Sequence, residues 1–320
     1  MNAFLIFTLS LIFAFQQFPG VEAHPTSYTA RRPDGARRLN INLTGSLQNP
    51  SFSPDGKSLL FTRFRDGYNK GSSDLYIYNL ETGSLRLLMS DNTSNVNLPG
   101  SSWNATIHAI VFSSDREPHD EIYLIDENGS TGDEVRITDR QNKQSFEPTL
   151  SPDGRWVVFE SHDIDVEDDG IITIYKLDHS SGYINLTSPL QNCKQPNWSP
   201  TGDRILYQRF VSGKWSVWTM NTDGSDVTRV TGPEESATDA VFSPDGQWII
   251  YSSENDNVEL ANIYKIPAGG GTPVRITKYR GYDGAPAVSP DGSRIAFESV
   301  FGDPEESTGT KLWVINISGD

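Results

Sequence analysis

Short apolar runs recur along this chain, and each carries the same polar punctuation. Between Asn49 and Phe61, Phe52 precedes Ser53-Pro54-Asp55-Gly56, and Leu59-Leu60-Phe61 follows. Proline presets φ for the first turn corner, aspartate bonds to backbone close by, and glycine accepts φ > 0. The pattern predicts strand, tight turn, strand. The phrase returns as Ser151-Pro152-Asp153-Gly154, Ser243-Pro244-Asp245-Gly246 and Ser289-Pro290-Asp291-Gly292, with a softened copy at Ser199-Pro200-Thr201-Gly202. A degenerate copy runs from Ser102-Trp103-Asn104 to Ile110-Val111-Phe112. It lies without a gap over Asn197-Trp198-Ser199 to Ile205-Leu206-Tyr207.

Anchored on the serine or its substitute, the copies fall at positions 53, 104, 151, 199, 243 and 289, at intervals of 44 to 51 residues. Each interval goes on to a third strand that carries an aromatic, such as Leu75-Tyr76-Ile77-Tyr78 or Trp215-Ser216-Val217-Trp218. Five intervals then reach a fourth strand, as in Val135-Arg136-Ile137-Thr138 and Val274-Arg275-Ile276-Thr277. No helical period occurs inside the repeat. Four strands at this period predict an all-β, six-bladed β-propeller of four-stranded blades. The sixth interval stops after its third strand, and Arg38 to Thr44 has the missing pattern. The N-terminal strand is therefore expected to complete the last blade and close the ring, pairing an edge that would otherwise stay open.

The Ser-Pro-Asp-Gly turn, the apolar strand after it and the following Ile-Tyr type strand resemble the WD-like repeat of TolB-type propellers. The resemblance covers residues 39–320. It implies a ring with a central channel that binds protein or peptide partners. The WD repeat proper is disfavoured, because neither Trp-Asp nor Gly-His occurs. No Gly-X-Ser-X-Gly nucleophile elbow is present either.

Charge and composition narrow the partners. Lys plus Arg number 26 against 42 Asp plus Glu, a net charge of −16, which repels phosphate backbones and argues against nucleic acid. The apolar block Phe4–Phe15 is too short to span a bilayer. With small residues at Val21 and Ala23, residues 1–23 are expected to be a secretory signal peptide, and no membrane span is expected. Residues 24–38 are polar and basic and read as a solvated leader tail, with Arg31-Arg32 and Arg37-Arg38 as dibasic processing candidates. The expected product is a secreted or extracellular monomer, periplasmic if bacterial. Cys193 is the lone cysteine and reads as a buried hydrophobe. Asn42, Asn92, Asn128, Asn185 and Asn316 are glycosylation candidates. Asn104 and Asn197 match the same pattern inside the repeated turn phrase and read as chance.

In a propeller the first strand of each blade lines the channel. Loops between blades, and between second and third strands, share one face. Four residues before each anchor stand Asn49, Gly100, Glu147, Gln195, Asp239 and Ala285. Asn49, Glu147, Gln195 and Asp239 are expected at the channel mouth, with Asp283 beside them. Glu147 and Asp239 are the candidate ligands for a hard cation such as Ca²⁺. The loop Asp163–Gly170 is dense in carboxylates. His119 and His162, with Arg63 and Arg209, are the candidate catalytic set. A histidine base beside an arginine clamp suits β-elimination of an acidic sugar. The favoured expectation is a propeller binding a peptide, protein or glycan on the channel face without chemistry. The alternative is a carbohydrate-active lyase or hydrolase, or a Ca²⁺-dependent lactonase-like enzyme, on that face.

Overall fold

A computed structural model describes residues 28–97, 103–164, 166, 169–254, 260–300 and 309–317. The signal-peptide reading for residues 1–23 lies outside them. The described chain forms six antiparallel sheets, one for each copy of the repeat. Blade 3 is representative: Lys143–Leu150, Trp156–Asp163, Ile171–Lys176 and Ile184–Asn185, in that order. Blade 2 departs from it. Its first strand is two short pieces, Val96–Asn97 and Trp103–Asn104, both paired with Ala109–Ser114.

The repeated turn works through its side chains. In blade 1, Ser53 Oγ donates to Asp55 Oδ1 (2.6 Å) and accepts from the Ser58 amide (2.9 Å), while Gly56 takes φ of 70°. Ser151, Ser243 and Ser289 make the same pair of bonds in their blades. The hydroxyl thus ties the turn to the start of the second strand, and those bonds hold Asp55, Asp153 and Asp245 below the usual carboxylate range. Between blades the apolar faces stack: Phe61, Phe112, Phe159, Tyr207, Tyr251 and Phe297, one per second strand, are essentially fully buried.

The fourth strands are shorter than the sequence reading. Their ladders stop after two residues in blades 2 to 5, as at Val135–Arg136 and Val274–Arg275. One more backbone amide, such as Ile137 N to Ile122 O (2.7 Å), reaches the third strand, and a threonine hydroxyl then takes over. Thr138, Thr187, Thr231 and Thr277 each accept the amide of a third-strand residue, at 2.8 to 3.0 Å.

The N-terminal segment closes the ring, with a register earlier than expected. Arg37–Leu39 pairs antiparallel with Lys311–Asn316 of blade 6, Arg37 opposite Val314 and Arg38 opposite Trp313. Residues 40–44 form no strand. Tyr28–Arg31 then adds a fifth strand outside it. The described part of the leader, residues 28–38, is therefore a docked hairpin and not a solvated tail. Its anchor is Arg32, which is 2 % exposed. The guanidinium donates to both oxygens of Asp283 (2.8 and 2.9 Å), to Asp34 (2.9 Å) and to Ser299 Oγ (3.1 Å). It also lies about 5 Å from the ring centroids of Tyr279, Phe297 and Trp313. A cut after Arg38 would remove both paired residues from the closing strand.

Candidate functional site

Five first strands carry the same irregularity. Their ladders slip between Gln48 and Ser51, Phe146 and Thr149, Lys194 and Asn197, Thr238 and Val241, and Gly284 and Ala287. Inside each slip sits one residue with φ near 50°: Asn49, Glu147, Gln195, Asp239 and Ala285. These are β-bulges, which re-aim a side chain and leave its amide outside the ladder. They are the residues four places before the turn anchor. Gly100, the blade 2 equivalent, lies outside the described residues.

The bulges form the waist of the channel. A cavity of about 30 Å³, room for about one water, is lined by Asn49, Glu147, Gln195, Asp239 and Ala285. On one side it opens into a mouth of about 560 Å³ that shares Glu147, Gln195 and Asp239. On the other a cavity of about 290 Å³ shares Asn197 and Val241 and runs past Trp198.

A hydrogen-bonded belt fixes the waist. Gln195 is its hub. Its Nε2 donates to Glu147 Oε1 (3.0 Å), its Oε1 accepts the Asp239 amide (3.2 Å), and its own amide donates to Glu160 Oε2 (3.2 Å). Across the ring, Glu298 Oε2 accepts the Asn49 amide (3.1 Å), and Oε1 accepts the hydroxyls of Tyr68 (3.1 Å) and Tyr282 (3.2 Å). Two second-strand glutamates thus satisfy amides that the bulges of the next blade would leave orphaned.

The belt holds more carboxyl groups than charges to balance them. Burial raises Glu147 well above the ordinary range, with the charge of Glu160 adding to it. Burial also raises Asp239, and pushes Glu298 up to about 8 with help from Asp239. His162 is the exception that charges. Burial opposes its protonation, but the bond and charge of Glu160, with Asp169, more than offset that and raise its pKa. Nε2 meets Glu160, and Nδ1 meets Asp169 at 3.1 Å.

The structure separates the sequence candidates. His162, Glu147, Gln195 and Asp239 line the mouth together; Asn49 lines only the waist. His119 does not line either cavity. Arg63 bonds Thr44 and Asp74 instead, and Arg209 stacks over Trp218 at 5.3 Å. Asp283 is not at the mouth: it is fully buried beneath Arg32. No group of three or more His, Cys, Asp or Glu set to hold a metal occurs among the described residues. Glu147 and Asp239 each spend an oxygen on Gln195 and the Ala285 amide. Cys193 is buried, its thiol pushed up to about 11 by burial. Asn42, Asn92, Asn128, Asn185 and Asn316 are exposed, whereas Asn104 and Asn197 are each 6 % exposed.

Several site residues escaped the sequence reading: Glu160 and Glu298, and the mouth residues Tyr68, Phe146, Lys194, Gln208 and Trp215. A signal for some was available. Directly after the second-strand aromatic the six repeats place Thr62, Ser113, Glu160, Gln208, Ser252 and Glu298, a polar position inside an apolar run.

Comparisons with known proteins agree with this architecture. The TolB protein of the Tol-Pal system from Francisella tularensis subsp. mediasiatica is 31 % identical over 183 residues, which cover 56 % of this chain and 39 % of that protein. The chain thus matches about two fifths of that relative's length. The solved structure of a putative TolB from Agrobacterium tumefaciens superposes with a TM-score of 0.62 at 19 % identity, covering 88 % of this chain and 94 % of that one. An oligogalacturonate lyase from Vibrio parahaemolyticus superposes with a TM-score of 0.56 at 14 % identity, covering 88 % and 93 %, and shares the fold alone. Among the described residues no helix is long and apolar enough to cross a membrane. The TolB beta propeller domain family matches residues 22–237 and 196–318, so six blades, bulges and closing strand together place this chain in the TolB β-propeller family.

Proposed function

We propose that this chain is an exported, non-catalytic propeller that takes a segment of a partner protein into the mouth of its channel. The observation that carries the reading is the mouth itself. It is a 560 Å³ concavity floored by Glu147, Asp239 and Gln195 and walled by Tyr68, Phe146, Trp215 and Tyr282. Aromatic walls over a few fixed polar groups suit a peptide chain, supplying contact area at small entropic cost. The likeness to a Tol-Pal system TolB supports a protein as the partner.

Chemistry is the weaker reading. His162, the histidine base that the sequence places at the mouth, is held between two carboxylates with both ring nitrogens engaged. Such a ring holds its proton and has no free nitrogen for a substrate. Export rests on the apolar N-terminal block, which supports a location in the periplasm of a bacterium or outside a eukaryotic cell. In the eukaryotic case the exposed sequons, Asn42 and Asn128 among them, would carry glycans.

Site-specific photo-crosslinking tests the reading. A crosslinker replacing Trp215 is expected to form a discrete protein adduct in the compartment where the protein resides. One replacing Val135, which is 61 % exposed on a fourth strand, is expected to form none. Equal adducts at both positions, or an adduct at Val135 alone, would refute the assignment.

A further inference from the structure

Two polar atoms at the mouth have no partner. Glu147 Oε2 is enclosed and receives no hydrogen bond. Gln208 is 3 % exposed, and its Nε2 has no acceptor. Gln208 lines the same cavity and lies opposite Lys194 in the ladder, beside the Gln195 whose amide holds Glu147. Buried polar groups are nearly always satisfied, so an acceptor and a donor left open into one cavity mark where a ligand or water completes the set.

We propose that the mouth receives the free amino end of a peptide. The ammonium would lie between the carboxyls of Glu147 and Asp239, the first carbonyl at Gln208 Nε2, and the first side chain against Phe146 and Trp215. This rests on the channel-binding reading above and narrows it to one end of one kind of ligand.

Charge balance selects an ammonium. The titratable and charged groups facing Glu147 are Glu160, Asp239, His162 and Lys194, with Glu298 behind Tyr68 and Tyr282. His162 balances Glu160. Lys194 sits 5.4 Å from the Trp215 ring centroid, over the wall. Glu147 and Asp239 are left without a cation beside them, and burial raises both, with the charge of Glu160 adding to the shift at Glu147. An ammonium supplies the missing charge, and its donors fit Glu147 Oε2 and the carboxyl of Asp239, which stand on separate strands. A metal ion would need more oxygens than the belt leaves free. An amino end is chosen over a lysine side chain because only the former has a carbonyl carbon two bonds from the ammonium nitrogen, which Gln208 Nε2 on the same cavity could meet.

The test uses three fluorescent tripeptides on the full chain: Phe-Ala-Ala with a free amine, its N-acetyl twin, and acetyl-Lys-Ala-Ala, each labelled at its C-terminus. Anisotropy is expected to show the free amine binding at least about tenfold more tightly than either acetylated peptide. Its affinity should rise with pH across the acid range, because burial raises both carboxyls and binding of the ammonium makes them release protons to solvent. Glu147→Gln should abolish the difference between the free and acetylated phenylalanine peptides, its fold checked by an unchanged melting profile at pH 5.5. Equal binding of both phenylalanine peptides would overturn the amino-end assignment and leave channel binding standing. Preferential binding of acetyl-Lys-Ala-Ala would reassign the ammonium to a side chain and also overturn it. No binding of any peptide at about 1 mM would overturn this inference and count against the channel reading as well.

Discussion

Arg32→Ala is expected to lower stability by about 3 to 5 kcal/mol, the scale for breaking a buried ion pair from one side. Among the described residues the guanidinium is the one charged group in a salt bridge with Asp283, and both side chains are fully enclosed. Removing it strands a buried carboxylate, empties the space between Tyr279, Phe297 and Trp313, and frees the hairpin that caps blade 6. For a domain of this size the melting temperature should fall by roughly 10 °C. Pairing the change with Asp283→Leu separates charge from packing. Arg32→Met with Asp283→Leu should recover much of the loss, because two apolar residues leave no orphaned ion. A single mutant that melts within about 2 °C of the parent would show that the hairpin contributes nothing to the ring.

The second large effect is in the pH dependence of stability. Glu298, ordinarily near 4.5, is pushed up to about 8. Between those values the folded protein holds a proton that the unfolded chain has released. Its contribution is therefore complete below about pH 4.5 and is lost as pH rises through 8, at up to about 1.4 kcal/mol per pH unit. Glu147 and Asp239 are raised too and act with the same sign. So does His162, whose contribution is present below its ordinary 6.5 and fades as pH climbs through its raised folded value. The turn aspartates Asp55, Asp153 and Asp245 are lowered and act in the opposite sense, losing their contribution as pH drops below about 4. Stability should peak in mildly acid solution and decline by pH 8. Glu298→Gln copies the protonated acid. Its carbonyl can accept the Asn49 amide, and its amide can donate to the tyrosine hydroxyls. The variant should match the parent near pH 5 and exceed it by a few kcal/mol at pH 8, read from denaturant midpoints. Parallel curves would show that Glu298 ionises normally.

Most of the scaffold was legible in the sequence, because its causes are local and repeated. Each blade carries its turn in four residues, and the apolar runs beside it alternate as a packed sheet requires. The bulge position lies four residues before each turn anchor, so counting back from the turn finds Glu147, Gln195 and Asp239, whose φ values near 50° mark the bulge. What escaped was the response of charge to burial. Glu160 and Glu298 stand at a polar position that follows an apolar run, and nothing in period or composition says that they reach across to another blade's amide. Arg32 was hidden for the opposite reason. A basic, polar leader reads as solvated, and its destination, Asp283, is 251 residues away. The fourth strands were overread because a Val-Arg-Ile-Thr run has β propensity throughout, while the threonine hydroxyl ends the ladder after two residues.

A partner protein held at the wide end of the channel, as proposed, would shield the strands that line it. Amide hydrogen exchange with and without the captured partner tests it most directly. Slowed exchange is expected at Gln144–Glu147, Glu160–His162, Lys194–Gln195 and Lys214–Ser216, with no change along the outer strands. Protection confined to the fourth strands, or to the opposite end around Trp156 and Trp198, would contradict it.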